Sequence, residues 1–329
     1  LQLINSLSDQ GKKILYLCGE ESPIQIKDRA TRINLGLKNV TFVAETNVNA
    51  IEKYIALNSS KFNFIVVDSI QTLYSENAAG ARGSVSQISE CANIITSLSK
   101  GYNISTLIIG HITKSGDIAG PMILEHMVDT VLLFEGDKRG ELRILRVEKN
   151  RFGPTDEVGI FKMELTGLKE ITDSRELIDK KESPNGAVYC IAIEGNRPLL
   201  VEVQALCVKS YFTNPRRTSV GFDLNRLFLI LAVIEKKLKI STGETDVYVN
   251  ITGGIKISDP ALDIAVLKAI VSSIKNSPIP SDSVYFGEVG LGGDIRKVYL
   301  EEKRIKEAKK LGFKTIISSK KTNDIQNML

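Results

Sequence analysis

The sequence predicts an α/β chain: a mostly parallel sheet in its first half, followed by an α+β half. Three observations carry that prediction. Between positions 13 and 109, short apolar runs alternate with segments of helical character, the βαβ pattern of a parallel sheet. One of those runs, Phe64-Ile65-Val66-Val67, ends on Asp68-Ser69; in such sheets ligands gather beyond the carboxyl ends of the strands. A polar, charged, turn-rich stretch over 172–186 then precedes a half that opens on two successive strands. The predicted organisation is a first domain over 1–171, a linker over 172–186 and a second domain over 187–329.

The elements follow in order. Positions 13–18 form an apolar strand, and the next helix begins near Pro23, since proline is favoured at a first helical position. A strand covers 40–44, a helix 49–58 and a third strand 64–67. Apolar residues near 3.6 spacing make 84–100 a helix, and 106–109 is the fourth strand. The runs 128–135 and 142–147 read as a hairpin around Gly136-Asp137-Lys138-Arg139-Gly140. In the second half, strands are predicted over 187–194, 198–206, 246–251 and 284–288. Helices are predicted over 223–238 and 260–274, with a basic helix over 300–311 ended by Gly312.

Composition narrows the class. A length of 329 residues suits two domains, and 43% hydrophobic with 25% charged residues is ordinary globular usage. A net charge of +4 is compatible with nucleic acid without requiring it. The four cysteines, Cys18, Cys91, Cys190 and Cys207, are scattered and form no CxxC pair, which argues against a zinc site built from these residues. Cys18 sits in an apolar strand and reads as a small hydrophobe. This usage fits a reducing, cytoplasmic setting. With no apolar run of membrane-spanning length and no signal peptide, a soluble chain with no membrane partner is expected.

The most informative segment is Val147-Glu148-Lys149-Asn150-Arg151-Phe152-Gly153, directly after the strand predicted over 142–147. Residues two apart in a strand point the same way, so Lys149 and Arg151 would reach together toward an anion. A polyphosphate suits such a clamp, because the arginine fork can bind it in a bidentate manner. A KxR pair alone also fits a solvated basic turn. The acid-terminated strand at Asp68 favours the nucleotide reading.

Lys149-Asn150-Arg151-Phe152-Gly153 resembles the signature pentapeptide of the RadA (Sms) family of bacterial DNA repair proteins, which are RecA-like ATPases. The resemblance extends through Gly19-Glu20-Glu21-Ser22, Asp68-Ser69-Ile70-Gln71-Thr72, Gly83-Ser84-Val85-Ser86-Gln87, Gly110-His111-Ile112-Thr113-Lys114 and Leu124-Glu125-His126-Met127-Val128-Asp129. It continues in Asn214-Pro215-Arg216-Arg217 and Gly287-Glu288-Val289-Gly290-Leu291, and so covers essentially the whole chain.

The resemblance implies a RecA-like P-loop ATPase core that uses ATP and Mg2+. In it, Asp68 is the Walker B acid, holding magnesium directly or through water, with Ser69 beside it. One of Glu20 and Glu21 orients the attacking water; the choice stays open, leaning to Glu21. His111 takes the place of a γ-phosphate sensor, and Lys149 and Arg151 become fingers reaching a neighbouring subunit's nucleotide. That implies a homo-oligomeric ring, a hexamer, acting in branch migration on single-stranded DNA and branched recombination intermediates, with a recombinase as a further partner. Arg82 falls in one DNA-facing loop and Lys114 in a second.

The 329 residues contain no GxxxxGK[ST], the loop that precedes the segment matched by 1–7 in this family. The family's N-terminal four-cysteine zinc module is also missing from them. Either these parts belong to a longer parent protein or the chain is a truncation; this polypeptide alone is expected to bind ATP poorly.

The second half resembles the proteolytic domain of Lon, through Gly287-Glu288-Val289-Gly290-Leu291 and the turn Ile257-Ser258-Asp259-Pro260-Ala261. Lon uses a serine with a lysine base. Here the matching positions hold Ala261 and Glu301, so a non-proteolytic assembly and DNA-binding scaffold is expected. Its candidate DNA contacts are Arg216, Arg217 and the basic helix carrying Lys303, Arg304, Lys306, Lys309 and Lys310.

Overall fold

The structure, a computed structural model, describes residues 1–111, 121–136, 141–178, 185–252 and 257–328. They form two compact units. The first comprises Leu1–Leu132, Glu148–Gly153 and Glu164–Leu168; the second comprises Leu133–Val147, Pro154–Met163 and Lys169–Leu329.

The first unit is an α/β layer structure. Helix α1 (Gln2–Asp9) leads into β1 (Ile14–Cys18), α2 (Pro23–Arg32), β2 (Val40–Val43), α3 (Val48–Asn58), β3 (Phe64–Asp68), α4 (Val85–Tyr102) and β4 (Ser105–Ile109). The strands lie in the order β2-β1-β3-β4, all parallel. Strand alternation feeds two cores, as expected of a parallel sheet covered on both faces. Leu15, Leu17, Ile65 and Val67 pack with Ile51, Ile55, Ile88 and Ile95. Ile14, Tyr16, Cys18 and Val66 pack with Ile4 and Ile26. Ser22 and Gln25 form a reciprocal capping box that starts α2 directly after Glu20 and Glu21. Burial pushes the thiols of Cys18 and Cys91 up to about 11, so both stay protonated small hydrophobes at neutral pH.

Helix α5 (Pro121–Met127) precedes a second sheet built from β5 (Thr130–Gly136), β6 (Leu142–Asn150), β7 (Val158–Glu164) and β8 (Gly167–Glu170), neighbours in that order. The expected pairing of β5 with β6 is present; positions 137–140 of the predicted turn lie outside the described residues. Strands β7 and β8 had no clear sequence signal. Within the segment read as a linker, Ile178 is buried in the second unit's core, and Asp173 caps a short turn at Ser174–Leu177.

The second unit centres on a mixed six-stranded sheet, ordered β11-β12-β10-β9-β13-β16. Its elements are β9 (Ala187–Glu194), β10 (Arg197–Lys209), β11 (Arg217–Val220), α6 (Leu224–Leu238), β12 (Thr245–Ile251), α7 (Leu262–Lys275), β13 (Ser283–Tyr285), β14 (Glu288–Val289), β15 (Ile295–Arg296), α8 (Glu301–Lys310) and β16 (Thr315–Ile317). Helix α7 is apolar nearly all round, with Leu262, Ile264, Ala265, Val266, Leu267, Ala269 and Ile270 fully buried, as suits a helix inside a core.

Two expectations are corrected here. The strand predicted over 284–288 divides into β13 and β14, because Gly287 turns its backbone to α7: its amide donates to Ala261 O at 2.9 Å and its carbonyl accepts from Ile264 N at 3.2 Å. Arg304, grouped with the basic face of the last helix, is fully buried and paired with Asp259 at 2.6 Å, whereas Lys303, Lys306, Lys309 and Lys310 are exposed. Among the described residues no helix is long and apolar enough to cross a membrane.

Candidate functional site

Parallel register aligns the strand ends of the first unit. Cys18 lies opposite Asp68, and Asp68 opposite Ile109, so the residues that follow β1, β3 and β4 emerge at one edge. There the side chains meet. The Ser69 hydroxyl donates to Glu20 Oε1 at 2.7 Å, and His111 Nε2 lies 3.0 Å from the same oxygen. Ser69 is buried, while Glu20 and His111 remain open to solvent. Glu21 instead pairs with Arg29 of α2. Gly19 makes the approach possible: its amide donates to Asp68 O at 2.7 Å, and a Cβ there would run into the Thr72 hydroxyl.

Asp68 accepts a hydrogen bond from Tyr16. Burial and this neighbouring carboxylate push the Tyr16 phenol well above its usual range, so it stays a donor. Tyr16 was not legible as a site residue, because a tyrosine in an apolar strand reads as core. Gln71 was missed too. Its Nε2 donates to His111 O at 3.2 Å, and its buried Oε1 has no partner among the described residues.

Lys149 and Arg151 face one local feature, the end of α5. Lys149 Nζ donates to the carbonyls of Glu125 and, at 2.8 Å, Val128; a cation at a helix C-terminus meets the negative end of the dipole. Arg151 pairs with Asp129 at 3.2 Å and is exposed. Phe152 beside it is 85% exposed.

The segment after β3 is shaped by Gln87, a buried side chain that binds Ser75 through both its amide ends and Ala78 O at 2.7 Å. Beyond that frame Arg82 stacks over the Tyr74 ring at 4.2 Å. Lys114 lies outside the described residues.

In the second unit Arg216 is exposed and lies over the Phe212 ring at 4.1 Å. The Arg217 guanidinium is turned inward, donating to Thr245 O and, at 2.6 Å, Thr242 O. Ala261 is fully buried and carries no nucleophile. Glu301 is also buried and accepts from the Ser319 hydroxyl at 2.8 Å. Among the described residues no cluster of His, Cys, Asp and Glu could hold a metal ion by itself.

The chain is 47% identical over 329 residues to the DNA repair protein RadA of Campylobacter jejuni, a match covering 99% of this chain and 72% of that one. It is 46% identical over 322 residues to the DNA repair protein RadA of Aquifex aeolicus, covering 97% and 72%. A solved KaiC-like protein from Pyrococcus horikoshii is similar over 51% of this chain and 80% of its own, at 14% identity and a TM-score of 0.41. No family model matches the chain.

Proposed function

Because the chain belongs to the RadA family of DNA repair proteins, we propose that it forms part of a DNA-dependent ATPase that promotes branch migration by moving on single-stranded DNA. One observation carries this reading: Glu20, Ser69 and His111 converge at the strand ends beside Asp68. Three polar groups from three loops, two of them open to solvent, meet at the edge where a parallel sheet presents its ligand.

In this reading Glu20 orients the attacking water. Its Oε1 is held by the Ser69 hydroxyl and His111, which leaves Oε2 to accept a water proton. His111 registers the γ-phosphate through the ring that also touches Glu20, so a change at phosphate is felt at the base. Glu21, occupied with Arg29, orders the start of α2 instead. The carboxylate and hydroxyl oxygens of Asp68 and Ser69 are hard donors that suit magnesium, directly or through water. That ion would supply charge neutralisation to the β- and γ-phosphates. Lys149 and Arg151 bring positive charge to the γ-phosphoryl group of an adjacent subunit, which makes the working form a ring, a hexamer. Arg82 and Arg216 supply contacts to the DNA backbone.

The test is ATP hydrolysis by the full-length protein with and without single-stranded DNA. DNA-stimulated turnover is expected. Glu20→Gln should lower it by about a hundredfold while ATP binding is kept. Glu21→Gln should stay within a few-fold of the unsubstituted protein, because an exposed ion pair contributes at most about 1 kcal/mol. Collapse of the Glu21→Gln variant with an active Glu20→Gln variant would reverse the assignment. A full-length protein indifferent to DNA would sink the motor reading.

A further inference from the structure

The connection between β10 and β11 combines two features. Two large aromatic side chains stand in solvent, Tyr211 at 92% and Phe212 at 53% of full exposure. The backbone beneath them is nevertheless fastened on both sides. Ser210 N donates to Glu244 O at 2.8 Å, and the Ser210 hydroxyl accepts from Phe212 N at 3.2 Å. Arg216 N donates to the buried carboxylate of Asp246 at 2.7 Å, and Arg216 O accepts from Val247 N at 2.9 Å. Arg217 locks the exit onto two carbonyls. The rings are therefore displayed by a held loop, and little backbone order remains to be lost on binding.

Charge says what would come. From 203 to 222 there is no acidic residue, while Lys209 and Arg216 lie in or beside the loop; of the acids that adjoin its ends in space, Asp246 is buried against the Arg216 amide and Glu244 meets Ser210 through its backbone carbonyl. The Arg216 guanidinium already lies over Phe212 at 4.1 Å, which fixes a planar cation beside an exposed ring. An aromatic face next to a planar cation suits an unpaired base with its phosphate, whereas base pairs in a duplex keep their faces covered.

We propose that Tyr211 and Phe212 form a base-stacking platform for single-stranded DNA, with Arg216 taking the adjoining phosphate. The platform rests on the DNA-binding reading above and adds to it. Arginine contacts alone give affinity that fades steeply with salt. Stacking adds a part that salt does not remove, so the second unit keeps its hold on unpaired strand at physiological ionic strength.

Binding of a labelled oligothymidylate to the full-length protein across a salt series tests this. Tyr211→Ala and Phe212→Ala should each weaken binding about tenfold while the slope of log affinity against log salt is unchanged. Arg216→Ala should lower that slope by about one. These 329 residues contain no tryptophan, so Tyr211→Trp adds the first indole among them, and its emission is read as the difference from the unsubstituted full-length protein. That emission should be quenched by oligothymidylate and recover when the oligonucleotide is displaced. Unaltered affinity in both alanine variants, an unquenched Tyr211→Trp protein that still binds the oligonucleotide, or a changed oligomeric state in place of changed affinity would each overturn the platform. Failure of the unsubstituted protein to bind oligothymidylate would overturn the DNA reading as a whole, and the platform with it.

Discussion

Replacing Lys149 or Arg151 with alanine should cut DNA-stimulated ATP hydrolysis by about a thousandfold or more, the loss that follows removal of a finger cation in phosphoryl transfer. The structure holds both side chains at one end of α5, Lys149 on the carbonyls of Glu125 and Val128 and Arg151 on Asp129. These contacts are weak enough to exchange. A cation at a helix C-terminus is stabilised by about 0.3–1 kcal/mol, and an exposed Arg–Asp pair by no more than about 1 kcal/mol. The alanine variants should therefore fold and bind DNA normally. Mixing subunits decides whether the fingers act across a boundary. Lys149→Ala subunits keep Glu20, and Glu20→Gln subunits keep the finger, so a mixed assembly should recover turnover that neither shows alone. Absence of recovery in assemblies shown to be mixed would place the finger in its own subunit; full activity of either alanine variant would remove the role altogether.

Periodicity made the parallel sheet legible, because β1, β3 and β4 are short apolar runs between helical segments and their ends coincide by register. The grouping of Asp68 and His111 at one edge followed from that. The choice between Glu20 and Glu21 did not follow, since adjacent residues leave a strand in different directions and the turn that aims them is set by Gly19 packing against Thr72. A second limit is range. Arg304 sits in a run of lysines and reads as solvated charge, yet its partner Asp259 is 45 positions away, and no local pattern reveals such a pair. Tyr211 and Phe212 lie beyond the strand predicted over 198–206, where the sequence carried no signal, and only the structure shows both rings facing water after β10.

Arg304→Ala should destabilise the second unit by about 3–5 kcal/mol, the usual cost of removing one partner from a buried ion pair. The Arg304 side chain is fully buried, and every polar nitrogen of its fork is used. Nε donates to Tyr299 O at 3.0 Å. One terminal nitrogen reaches Ile191 O at 2.7 Å and Asp259 Oδ2 at 2.6 Å, and the other reaches Asp259 Oδ1 at 3.2 Å. Asp259 in turn accepts from the amides of Ile193 at 2.7 Å and Ala261 at 3.0 Å. One guanidinium thus ties α8, β9 and the turn before α7, and a lysine, with a single point charge, could not span these acceptors. Removal leaves the Asp259 carboxylate buried beside two amides without its counter-charge. Urea and thermal unfolding should show the loss, and Arg304→Lys should rescue little of it. Alanine at Lys306 or Lys309 on the exposed face should change stability by about 0.5 kcal/mol or less. A loss below about 1 kcal/mol for Arg304→Ala would mean that the pair's desolvation cost nearly cancels its attraction even when one partner is gone. Pairing Arg304→Met with Asp259→Asn separates the two contributions: recovery in the double variant assigns the loss to the stranded charge, and no recovery assigns it to the four carbonyl and carboxylate hydrogen bonds that hold α8 against the sheet.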